Sequence, residues 1–184
     1  MKPWFNARKA AQVAAFFAQK EGGRINVLKL TKLVYLADRT HMKAYDYPII
    51  GDEFVSMPHG PVNSMTLNYI DGCVSENSGW DEFITDRDRH CVGLTNINTT
   101  VDDLDELSES EIATLQAVWI EFGHMGQFEI RDWTHKNCPE WEDPDGSSNP
   151  IPYERVFKYL GKTNVEYLGE RIREERCVRE AFVE

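Results

Sequence analysis

At 184 residues with 41% hydrophobic content, the chain is long enough to bury a core and too apolar to remain disordered throughout. Its apolar stretches are broken by Lys, Arg or Gln well before the roughly 18 residues a membrane span needs, and the opening Met1–Lys9 carries no apolar leader, so the sequence reads as cytoplasmic. The net charge of −11 is gathered in residues 71–145, which hold nineteen acidic and four basic side chains; this disfavours DNA, RNA and anionic lipid as partners.

The first helix is expected from about Ala7 to Glu21, capped by Asn6 and stopped at Gly22-Gly23, with Ala10, Val13, Ala14 and Phe17 on its buried face. The second, about Val27 to Tyr45 with Asn26 as cap, is nearly all apolar through Leu28, Leu30, Leu33, Val34, Leu36 and Ala37, which places it inside the domain. At 100° per residue, Lys29, Lys32, Arg39 and Lys43 fall within about an 80° stripe opposite that arc, a stripe expected to face solvent. A short strand at Phe54–Met57 follows, then a tight turn in which Gly60 supplies unusual backbone angles and Pro61 opens a third helix. That helix carries Val62, Met65, Tyr69 and Ile70 on one face and ends at Gly72.

Residues 73–107 are the least regular part, with a possible short strand at Cys91–Thr95 and an acidic loop over Asp102, Asp103, Asp105 and Glu106. Ser108 and Glu111 have capping-box spacing and open a fourth helix through about Met125, its face Ile112, Leu115, Trp119 and Phe122. A short helix near Phe128–Lys136 precedes residues 138–150, which are rich in Pro, Gly, Ser, Asn and acids and read as a mobile loop. Pro152 opens a helix to Leu160, and Thr163 with Glu166 introduces a charged last helix to about Phe182. The expected fold is mainly α, α+β only through a minor short β element: one domain over 1–184 with six to seven helices.

The candidate chemistry is sparse. Cys73, Cys91, Cys138 and Cys177 form no Cys-x-x-Cys pair and read as free thiols. His135 and Cys138 sit one helical turn apart, yet no four-ligand zinc pattern surrounds them, and neither a nucleophile elbow nor a phosphate loop appears. The sequence therefore reads as a binding module without catalytic residues, metal or cofactor, with a metal-dependent or hydrolytic enzyme as the minority reading. The acidic stretch is either a solvated surface or a footprint for a basic partner. Trp141, inside the loop, is a candidate docking residue.

Three passages carry a resemblance. Leu30-Thr31-Lys32-Leu33-Val34-Tyr35-Leu36-Ala37-Asp38, Ile50-Gly51-Asp52-Glu53-Phe54 and His59-Gly60-Pro61-Val62 together resemble the Panacea (SocA-like) antitoxin domain. A further match lies at Thr134-His135-Lys136-Asn137-Cys138-Pro139-Glu140-Trp141, and Ile151-Pro152 is similar to the start of the family's late helix, so the likeness covers about residues 10–160. The chain departs from the pattern at Met57-Pro58, where an aromatic is common, and at Glu140, which separates Pro139 from Trp141. The resemblance implies a helical domain, associated with phages and prophages, that neutralises an adjacently encoded toxin by direct binding. The toxin that the resemblance implies is a nucleotide- or RNA-acting protein, such as a translation-blocking enzyme, and a basic one would suit the acidic stretch. It also implies an alternative, a proteolytic adaptor that hands its client to a AAA+ protease. On this reading Tyr35, His59, Gly60, Pro61 and Val62 are the signature turn, and Thr134, His135, Trp141, Asp102, Asp103, Asp105 and Glu106 are candidates for partner binding.

Overall fold

In the computed structural model, which describes residues 3–73 and 77–181, the axis of the fold is helix α2, Val27–Tyr45. Its first turn is held by the Asn26 side-chain oxygen, which accepts from the N–H groups of Leu28 and Lys29. Helix α1, Ala7–Lys20, is capped in the same way by Asn6 and buries Ala10, Ala11, Ala14, Phe16 and Phe17. Around α2 pack α1, α4 (Glu109–Phe122), α5 (Gln127–Asn137) and α6 (Tyr153–Tyr159), and the two remaining α-helices among the described residues are α3 (Ser64–Ile70) and α7 (Val165–Ala181). Their inner faces join Leu30, Leu33, Leu36, Leu115, Ile130 and Phe157 into one continuous apolar core.

The β element is small and antiparallel. Strand β1, Arg24–Asn26, pairs with β4, Cys91–Gly93, while β2, Phe54–Met57, lies between β3, Gly60–Asn63, and β5, Asn149–Ile151. The architecture is thus mainly helical, α+β only through these short strands, as the sequence predicts. Among the described residues no helix is long and apolar enough to cross a membrane.

Several expectations change. Pro61 does not start a helix: it sits in strand β3 opposite Ser56, and the helix begins three residues later. This is possible because β3 is an edge strand, where a residue without an N–H is tolerated. The basic stripe on α2 does not face water. Lys29 is 6% exposed, Lys32 is fully buried and Arg39 is half-buried, because α4, α5 and β3 cover that side; only Lys43 is exposed. Helix α4 stops at Phe122 rather than Met125, and β1 and β5 were not anticipated. The expected end of the last helix at Phe182 lies outside the described residues. The irregular stretch before β5 is tethered: Trp141 Nε1 donates to the Met57 carbonyl at 2.9 Å, and Pro144 is buried.

Candidate partner-binding site

Lys32, Tyr35 and Arg39 recur at i, i+3 and i+7 and so share one face of α2. Each finds a partner contributed by another segment. The Lys32 ammonium donates to the Pro61 carbonyl at 2.8 Å, the Tyr35 hydroxyl donates to Glu140 Oε1 at 2.6 Å, and Arg39 Nε donates to the same oxygen at 2.5 Å. Glu140 is fully buried, so this pairing is what allows a carboxylate there. Burial lowers the Lys32 pKa to about 7 and pushes that of the neighbouring Cys138 thiol up to about 12.

Two other buried carboxylates brace the hairpin of β2 and β3. Asp52 accepts from the N–H groups of Met65 and Thr66 and from the Thr66 hydroxyl, capping α3 from outside. It does so because Asn63, at the cap position, makes no side-chain bond to the helix and donates to Asp38 at 2.7 Å instead. Asp38 also accepts from Ile50 N–H. Burial raises Asp38 to about 7 and Asp52 to about 6.

The turn itself is Pro58-His59 between paired Met57 and Gly60. Gly60 has φ +98°, and a Cβ there would lie 3.0 Å from Thr134 Oγ1 and 3.2 Å from two atoms of the His135 ring. Both the backbone angle and the space therefore demand glycine. His135 lies flat on Trp141, with ring centroids 4.1 Å apart and planes 4° apart. The hairpin and the Thr134–Trp141 passage are thus one assembly.

In front of this assembly lies a groove of about 840 Å³. The start of α2 (Val27, Leu28, Thr31), the hairpin (Met57, Pro58, His59, Val62), Leu67 of α3, Arg87, His90, Phe128 of α5 and the loop Gly146–Ser148 line it. Its surface is chiefly apolar, and Phe128 is 58% exposed. A concave, chiefly apolar groove with a few polar groups on its walls has the make-up of a non-covalent binding site.

The family model described as "Antitoxin SocA-like, Panacea domain" matches residues 30–142, well over half of the chain. The chain belongs to this family. No curated protein and no solved structure matches it. The Panacea match spans α2, the hairpin and α5, the elements that build the network and most of the groove walls.

Within this Panacea domain the sequence-derived candidates fall into two sets. Tyr35, Gly60, Pro61, Val62, Thr134, His135 and Trp141 come together around the hairpin, with His59 exposed at its tip and on the groove rim. Thr134 is buried, its hydroxyl donating to the Arg131 carbonyl. Asp102, Asp103, Asp105 and Glu106 are placed elsewhere and do not line the groove. Asp102 and Asp103 lie in a short 3-10 helix, where Asp103 accepts from Thr100, and Asp105 and Glu106 both bind Arg8 of α1. Sequence reasoning did not single out Asp38, Asp52 and Glu140 or Phe128 as site residues, and it placed Leu28 on the buried arc of α2, whereas Leu28 is only partly buried and lines the groove. A legible hint existed only on α2, where polar residues at helical spacing interrupt an otherwise apolar segment. Among the described residues, no group of three or more His, Cys, Asp or Glu is arranged to hold a metal ion.

Proposed function

We propose that this chain is a cytoplasmic antitoxin that neutralises a toxin encoded beside it by binding it directly. The observation that carries the reading is the family match over residues 30–142, the stretch that supplies most of the groove lining. The chemistry agrees: the groove offers apolar contact area with a few polar groups, which is what protein capture needs. The hairpin and α2 walls are held by buried hydrogen bonds, which limits the entropy lost there when a partner seats.

Coexpression of the chain with the protein of its adjacent reading frame in bacteria tests this. Growth arrest by the neighbour alone, relieved by the chain through a stoichiometric complex, is the expected result. A neighbour that is harmless alone, or that stays toxic beside this chain, contradicts the reading. Relief that requires the host's AAA+ proteases while a complex still forms would assign the adaptor role instead.

A further inference from the structure

The chain carries a net −11, yet among the described residues no carboxylate lines the groove. The titratable groups on its walls are Lys32, His59, Arg87 and His90, each a nitrogen donor. Arg87 is spent only in part: it pairs with Asp71 and its Nε donates to the Arg89 carbonyl, which leaves further guanidinium N–H groups. The first turn of the 19-residue α2 opens onto the same space and adds the positive end of its dipole. Beside these donors stand Leu28, Val62, Leu67 and the exposed ring of Phe128. An apolar wall beside the Arg87 guanidinium and other nitrogen donors, in a molecule whose charge is otherwise strongly negative, selects by complementarity.

We infer that the groove seats a peptide segment of the partner protein that carries large apolar side chains next to an Asp or Glu. This rests on the antitoxin reading, and it places the captured segment at the hairpin and the start of α2, away from the acidic stretch at Asp102–Glu106. Phe128 and Leu28 receive the apolar side chains, and Arg87 receives the carboxylate through charge-assisted hydrogen bonds. A basic segment gains nothing here, because no carboxylate among the described lining residues would meet it.

Two arms test it on the full-length chain. In the first, a phage-displayed library of random peptides is selected on the chain, and enriched peptides are measured against the wild type, Phe128→Ala, Arg87→Ala and Ile120→Ala. Ile120 is 71% exposed and lies off the groove. Peptides combining apolar residues with Asp or Glu are expected, weakened about tenfold or more by Phe128→Ala and unaffected by Ile120→Ala. Arg87→Ala should weaken them by a similar factor but leave their Asn or Gln counterparts unchanged. Enrichment of basic or purely polar peptides, binding indifferent to Phe128→Ala, or no enrichment at all overturns the inference.

In the second arm, a photo-crosslinking phenylalanine replaces Phe128 or, as control, Tyr159, which is exposed and off the groove; each variant is mixed with the product of the adjacent reading frame. Crosslinks from position 128 to an apolar–acidic segment of the partner support the inference. A complex that relieves toxicity but crosslinks only from position 159 overturns the groove assignment and leaves the antitoxin reading standing. Failure to form any complex overturns both.

Discussion

The Tyr35 hydroxyl and the Glu140 carboxylate meet at 2.6 Å across 105 residues of sequence, inside the protein. Their bond ties the central helix to the passage that carries Trp141, and Arg39 closes the triad from the same helix. Hydrogen bonds to a charged acceptor are worth roughly 1.5–3 kcal/mol, so Tyr35→Phe should lower the unfolding free energy by about that amount. Glu140→Ala should cost more, about 3–5 kcal/mol, because it strands a half-buried guanidinium and a buried hydroxyl. Denaturant titration of the two single variants and the double variant checks this. Strict additivity would deny the coupling.

Replacing Gly60 with Val forces a β-branched residue to φ +98° and drives its Cβ towards Thr134 and His135. Backbone strain alone costs about 1–3 kcal/mol. The melting temperature should fall, and the fluorescence of Trp141 should change as the His135 stack shifts. An unchanged melting temperature would show that the hairpin and α5 are not packed as described.

Asp38 and Asp52 titrate far above their unfolded range, near 7 and 6, because burial disfavours their charge. In the unfolded chain both lose their protons near 4. The folded state therefore holds more protons between about 4 and 7. The stability contributed by these two groups is full below that window and is lost progressively as pH rises across it, until it passes the folded values of about 6 and 7. Carbon-detected NMR of the Asp38 carboxyl should give a midpoint near 7; one near 4 would contradict the buried environment.

Lys32 shifts the other way, to about 7, again by burial. Between about 7 and 10.4 the unfolded chain holds one proton more than the folded chain, so this group makes stability rise with pH across that interval. Lys32→Met keeps most of the side-chain length and removes the charge. It should fold, abolish that rise, and be near-neutral or stabilising at pH 7, since the loss of one bond to Pro61 is set against removal of a buried cation. A pH dependence identical to that of the wild type would show that Lys32 is not the titrating group.

The acidic stretch divides on charge reversal. Asp105→Lys breaks contacts with Arg8 and with fully buried Gln12, whereas the exposed Asp102 has no such role. Thermal melts should show a clear loss for Asp105→Lys and none for Asp102→Lys. Equal losses would mean that the stretch is not anchored through Asp105.

Local chemistry was legible and distant pairing was not. Asn6, Asn26 and the Ser108–Glu111 capping box announce their helices because each cap acts within three residues of itself. Strands β1 and β5 are three residues long and exist only because β4 and β2 lie beside them, which no window on the sequence reveals. Lys32 reads as a surface lysine until the Pro61 carbonyl is brought over it. Glu140, a departure from the family pattern in sequence, turns out to be the acceptor on which Tyr35 and Arg39 converge. The hairpin and the Thr134–Trp141 passage were each recognised, but their contact through Gly60 depends on the fold.

Calorimetric titration of the purified chain with the purified product of its adjacent reading frame tests the proposed capture of a toxin by direct binding. A saturable complex of fixed stoichiometry, at the concentrations where the toxin's activity disappears, is the predicted result. Loss of toxicity with no heat of binding, or a complex that leaves the toxin active, would contradict it.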